Sequence, residues 1–139
     1  MRTTSAITLG VVFLAATVVL YQPTSSAANA PDGKAIYNDK CSSCHQPAGQ
    51  GVPNAFPPLA GNPDETAKDP SRIIKIVLDG LNTPLVVKGQ KYPGGMPPWK
   101  GQLSNAEVAA VITYVRSSWG NKARAITEKE VAKIAKRPK

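Results

Sequence analysis

The chain reads as a small all-α domain. Three observations carry that reading. Four segments set apolar residues at helical spacing behind capping residues, no segment alternates like a strand, and the stretches between them are rich in Gly and Pro. A length of 139 residues gives room for one domain. The 13 Pro and 11 Gly indicate a loop-rich fold, while a hydrophobic content of 42% excludes a disordered chain.

The N-terminal stretch stands apart from the fold. Met1-Arg2 is a short basic start, Ala6 to Tyr21 is apolar apart from Thr8, Gly10 and Thr17, and small residues follow at Ser25, Ala27, Ala28 and Ala30. This is the pattern of a secretory leader over residues 1–27. The competing reading is an uncleaved anchor. The sixteen apolar-run residues would make about 24 Å of helix, short of a hydrocarbon core of about 30 Å, which favours the leader. Either way the remainder is exported.

The first helix is expected from Asp32 or Gly33 to Cys41, with Ala35, Ile36 and Tyr37 as its contacts. The second follows Asp69-Pro70, read as N-cap and first helical residue, and presents Ile73, Ile74, Val77 and Leu78 before Gly80. The third opens on the capping box Ser104-Asn105-Ala106-Glu107, continues through Val108, Val111, Ile112 and Val115, and stops at Gly120. The fourth opens on a second box, Thr127-Glu128-Lys129-Glu130, and runs to about Lys136; its few apolar residues predict a surface helix. Residues 46–63 and 82–101 are the Gly/Pro loops between them.

Chemistry concentrates in one place. Cys41-Ser42-Ser43-Cys44-His45 has the C-x-x-C-H spacing of a c-type haem attachment site. Two thiols can form thioethers to the haem vinyl groups, and the adjacent imidazole then lies under the iron. A thioredoxin-like pair would need a βαβ context that the pattern lacks. A structural zinc site needs four ligands, and two Cys with the one His supply three. A catalytic triad would have to use the same His45.

The second axial ligand follows from elimination. With one His in the chain, two-imidazole ligation within a monomer is impossible. Met96 is the one Met after the leader, in Tyr92-Pro93-Gly94-Gly95-Met96-Pro97-Pro98-Trp99. A core-filling Met normally sits on a helix face or strand, not between Gly-Gly and Pro-Pro. Lys88, Lys91, Lys100 or an open site are the alternatives.

From Asp32 to Trp119 the sequence resembles a class I, single-haem cytochrome c. The resemblance rests on Gly33-x-x-x-Tyr37, the Cys41–His45 motif, Pro57-Pro58-Leu59-Ala60-Gly61, the Gly94-Gly95-Met96-Pro97 loop and the helix after Leu103-Ser104. Phe56 to Asn62, and Ser118-Trp119-Gly120-Asn121-Lys122-Ala123 with its basic tail, look like a bacterial subgroup. In that subgroup such domains are subunits of periplasmic dehydrogenases or are fused to copper nitrite reductases. The resemblance implies a cytochrome c fold around one haem c over 28–120, with 121–139 as a basic helical tail. It implies that Pro57 turns its carbonyl to the His45 imidazole, that Leu59 packs on the haem face, and that Gly33 and Tyr37 let the first helix cross the third near Val111 and Tyr114. Phe56, Val86 and Val87 are expected to complete the apolar wall with Leu59, and Trp99 is a candidate partner for a haem propionate.

The function so implied is single-electron transfer by a periplasmic cytochrome, not itself an enzyme. It would be a mobile carrier or the electron-transfer subunit of a dehydrogenase or reductase. The alternative is a haem enzyme or small-ligand sensor with an open iron, and a third reading is a thiol–disulfide exchanger. Expected partners are redox proteins (a dehydrogenase, reductase or terminal oxidase), together with the membrane if the N-terminus stays uncleaved. The net charge of +8 lies mostly in residues 120–139, which hold seven Lys/Arg and two Glu. In an exported chain that charge points to a solvated helix, an acidic redox partner or anionic lipid, and not to nucleic acid.

Overall fold

A computed structural model describes residues 30–136; the leader or anchor expected over 1–27 lies outside the described residues. The described chain folds as α1 (Gly33–Lys40), α2 (Ser42–His45), α3 (Pro63–Thr66), α4 (Ser71–Asp79), β1 (Leu85–Val87), β2 (Gln90–Tyr92), α5 (Asn105–Ser117) and α6 (Glu128–Ala135). The architecture is mostly helical, as expected, with one small antiparallel hairpin added.

The frame is the crossing of α1 on α5. Asp32 starts α1 by accepting from Lys34 N and Ala35 N at 2.9 and 3.1 Å. A Cβ at Gly33 would run into the Ala110 carbonyl and the Tyr114 Cβ, so only glycine lets the two backbones meet there. Tyr37 is fully buried beneath the crossing. Its ring packs 5.5 Å from Tyr114 and 4.9 Å from Trp119, and its hydroxyl donates to the Gln46 carbonyl at 2.6 Å. The expected crossing point is thus met at Tyr114, with Ala110 as the closest backbone.

Local signals place the remaining helices with two adjustments. The helical span of α4 opens one residue later than expected, with Pro70 at the N-cap position, while Asp69 makes the expected capping bond, accepting from Ser71 N at 3.0 Å. Since proline has no N–H, the first donor that Asp69 can satisfy belongs to the residue after it. The Ser104–Glu107 box opens α5 as expected. The helix ends at Ser117 rather than reaching Gly120, because Ser118 is extended and Trp119 turns back at φ 53°.

Four short elements were absent from the sequence expectation: the single turns α2 and α3 and the two strands. Asn62 caps a single turn, α3, with Pro63 at its first position. Strands β1 and β2 pair Leu85 with Tyr92 and Val87 with Gln90 around Lys88-Gly89, both at positive φ. That two-residue turn has the twist hairpins need, but three-residue strands are too short to show alternation.

Helix α6 lies on the surface yet is keyed into the core. Val131 is fully buried and Ile126 is 6% exposed. Thr113 Oγ1 accepts from Ile126 N at 2.9 Å, and Lys100 Nζ donates to the Ala135 carbonyl at 2.8 Å. Residue 120 therefore marks no break in packing, and deleting the tail would remove core residues together with its charges. Ile126→Ala should lower stability by about 2–5 kcal/mol, the usual range for emptying a buried aliphatic site. A denaturant melt checks this; a merely solvated tail would leave the midpoint unmoved.

Candidate functional site

The site begins where α1 gives way to the single turn α2. Cys44 N and His45 N both return to the Cys41 carbonyl, at 3.2 and 3.0 Å. Residues three and four apart share one side of a helical turn, so Cys41, Cys44 and His45 all line the same cavity. Burial, and then Cys44 beside it, pushes the Cys41 thiol up to about 11. A thiol held in that state is a poor exchanger, because the thiolate is the nucleophile.

The imidazole is oriented from behind. His45 Nδ1 lies 3.0 Å from the Pro57 carbonyl. A carbonyl can only accept, so Nδ1 carries the hydrogen and Nε2 keeps its lone pair. Burial lowers the His45 pKa, against the opposing pull of the Pro57 bond, which leaves the ring neutral and able to ligate a metal. Gly51 makes room for this arrangement. It sits at φ +67°, and a Cβ there would fall 2.4 Å from the Phe56 carbonyl oxygen and 2.8 Å from that of Pro57.

Leu59 lies one turn of the loop beyond and lines the cavity. Its N–H and that of Ala60 donate to the Gly49 carbonyl at 2.8 and 2.9 Å. Asn121, buried, closes the loop from the other side: Nδ2 donates to the Leu59 and Val115 carbonyls at 3.0 and 2.8 Å, and Oδ1 accepts from Gly61 N at 2.8 Å.

Met96 lines the same cavity, held by backbone. It exchanges two hydrogen bonds with Leu81, at 2.9 and 3.1 Å. Trp99 N and Lys100 N then donate to the Val77 and Leu78 carbonyls at the end of α4, both at 3.0 Å. These are carbonyls that a helix C-terminus leaves without intrahelical partners. The loop therefore finishes the helix, and the helix positions the loop.

Counting its open mouth, the cleft spans about 1240 Å³. Its wall is mostly apolar, with Phe56, Ile73, Leu81, Val111 and Ile112 among its residues and Trp99 also present. Two expected wall residues are not there. Val86 is 60% exposed and Val87 is buried away from the cavity; Leu85, their neighbour on β1, lines it instead. None of Lys88, Lys91 or Lys100 lines the cavity.

The Cytochrome c family model matches residues 30–119. The chain belongs to the cytochrome c family. It is 45% identical over 93 residues to cytochrome c-552 of Thermus thermophilus, covering 65% of this chain and 70% of that protein. It is 36% identical over 106 residues to the gluconate 2-dehydrogenase cytochrome c subunit of Pantoea cypripedii, covering 75% of this chain and 24% of that subunit. With the cytochrome c subunit of the quinone alcohol dehydrogenase of Gluconacetobacter polyoxogenes it shares 34% over 105 residues, 73% of this chain and 22% of the other. The chain thus spans about a quarter or less of these dehydrogenase subunits. The family binds haem c covalently and carries electrons. The large apolar cavity, the paired thiols at its edge and a neutral imidazole with a free Nε2 all fit that group.

Sequence reasoning did not single out Gly51, Leu81 or the bonds of Asn121. Gly51 left a trace, in the Gly49-Gln50-Gly51 stretch six residues after His45. Leu81 contributes backbone only and has no sequence signal. Gly51→Ala should lower stability by more than about 1 kcal/mol, the scale of a glycine replaced at positive φ. Gly101 has a similar positive φ and open space around it. In thermal melts Gly101→Ala should lose less than Gly51→Ala, and equal losses would show that the close approach to Pro57 contributes nothing.

Proposed function

We propose that this chain is an exported single-electron carrier whose haem is attached through Cys41 and Cys44 and ligated by His45 and Met96. The observation that carries the reading is the convergence of those four side chains on one apolar cavity from which the three alternative lysines are absent. Bound there, haem c supplies a one-electron ferrous–ferric couple.

The chain's own residues set how that couple behaves. The Pro57 carbonyl fixes the His45 ring and strengthens it as a donor. A thioether from Met96 favours the reduced form more than a second imidazole would. With haem bound, Leu59 and its apolar neighbours in the cavity wall would keep water away from the iron, which would limit reorganisation when an electron passes.

In this reading 28–120 is the haem domain and 121–139 a docked basic extension. Residues 1–27 direct the chain to the periplasm and either are removed or remain as an anchor. Among the described residues no helix is long and apolar enough to cross a membrane. The partners are redox proteins, and the relatives named as dehydrogenase subunits support a dehydrogenase as the electron donor. Contact is brief and steered by charge, as in small redox interfaces.

Met96→Ala tests the ligand set. The visible spectrum should turn from low-spin to high-spin, the weak long-wavelength sulfur-to-iron band should vanish, and the reduction potential should fall. An unchanged spectrum would mean that Met96 is not a ligand and would give the lead to an open-iron enzyme or sensor.

A further inference from the structure

One carboxyl is out of place in the cavity wall. Glu65, on the short turn α3, lines the cavity alongside Ile112 and Val115. The residue is half-buried, and its carboxyl opens on the cavity rather than being sealed in the core. Among the described residues that carboxyl has neither a hydrogen-bond nor an ion-pair partner; only the Glu65 backbone carbonyl is bonded.

The charges around it are otherwise engaged. Asp64, next on α3, pairs with Arg72 of α4 at 3.1 Å on the exposed side. Lys40 of α1, which also lines the cavity, pairs with Asp39 at 2.9 Å. Arg116 of α5 is the cation nearest in effect, and its guanidinium is spent on backbone. Nη1 donates to the Glu65 carbonyl at 2.6 Å, Nη2 to Ala67 at 3.1 Å, and Nε to Arg124 at 3.0 Å. Arg116 thus grips the backbone of Glu65 and Ala67 and gives the carboxylate no hydrogen bond. A carboxyl that faces a mostly apolar wall without a partner is held toward its neutral form. Burial first, and then Asp64, pushes Glu65 up to about 7, against the pull of Arg116.

We propose that Glu65 couples electron transfer to a proton, its carboxylate taking one proton from solvent as the haem accepts one electron and releasing it on oxidation. The inference rests on the reading of the site as a haem electron carrier. The balance is complete: the electron comes from the redox partner, the proton from water, and the carboxylate becomes a carboxylic acid. The direction follows from charge. The oxidised centre carries one more positive charge than the reduced centre. It therefore favours the carboxylate, and reduction removes that support. Inside a protein this interaction is screened far less than in water. The two haem propionates also titrate, so the test must separate them from Glu65.

The experiment is the reduction potential of the purified holoprotein at several values between about pH 5 and pH 9. It is run on the native chain, Glu65→Gln and Glu65→Val, with a visible spectrum at each point. The native potential should fall as pH rises through neutrality, approaching 59 mV per pH unit, the limit of one proton per electron. Both variants should lose that slope. Infrared difference spectra should show a carboxylic acid carbonyl band appearing on reduction in the native protein and missing from Glu65→Gln. A native potential flat across neutrality, or a slope that survives in both variants, overturns the coupling and in the second case assigns it to the propionates. The visible spectra report separately on the underlying reading: intact low-spin haem with a flat potential sinks the coupling alone, whereas spectra without covalent haem overturn both.

Discussion

The hydrogen bond from His45 to the Pro57 carbonyl is the interaction on which the site depends. A five-residue motif can bring two thiols and an imidazole to one edge of a cavity, but it cannot decide which ring nitrogen faces inward. Pro57 decides that, by offering an acceptor that only Nδ1 reaches. The acceptor must itself be held still. Gly51 yields the space beside it, Gly49 takes two backbone donors just beyond it, and Asn121 grips the same loop from the far end of the chain. Ring orientation is therefore a property of four segments distant in sequence.

That dependence changes what the C-terminal extension is for. The family match ends at residue 119, and the charge pattern beyond it suggests a solvated, basic appendage. In the folded chain the extension contributes Asn121 to the loop carrying Leu59, Ile126 and Val131 to the core, and the Arg124 carbonyl to Arg116. Buried Arg116 in turn holds the carbonyls of Glu65 and Ala67. A fully satisfied buried guanidinium fixes geometry at three places at once, while losing any partner would leave a charged donor stranded. The extension is part of the packing of the haem domain, and its exposed lysines remain free for charge steering.

Much of this was legible in the sequence because it is written in local rules. Capping boxes at Ser104 and Thr127 and the five-residue Cys41–His45 motif act within a few residues, while the roles of Gly33 and of Pro57 were expected from the resemblance to the cytochrome c family. What was not legible is carried by tertiary contact. The hairpin is too short for a period to register, and its cue is the backbone of Lys88-Gly89 rather than side-chain pattern. Choosing Leu85 over Val86 and Val87 for the cavity wall required knowing the twist of that hairpin. The depth of Val131 required knowing that α4 and α5 leave a groove for it. Glu65 is the sharpest case, since an acidic residue between Asp64 and Thr66 reads as surface until the fold puts it beside the cavity.

The two sides of the proposed haem are held by different physics. On the His45 side, the proposed ligand belongs to a helical turn that also carries both cysteines, so its position follows from that turn and one hydrogen bond. On the Met96 side, the ligand sits on a loop with no regular structure, fixed by the two-way bridge to Leu81 and by two donors to the end of α4. Those bonds are backbone bonds to a helix terminus, and helix ends are where local opening begins. In the proposed ligand set, the sulfur from Met96 would therefore be lost before the imidazole of His45. The asymmetry suits a carrier that must hold its cofactor permanently yet tune its potential through one adjustable bond. It also places the unpaired carboxyl of Glu65 on α3, an element held by Arg116 rather than by the loop of Met96, so that the charge of the wall and the position of Met96 are set by separate contacts.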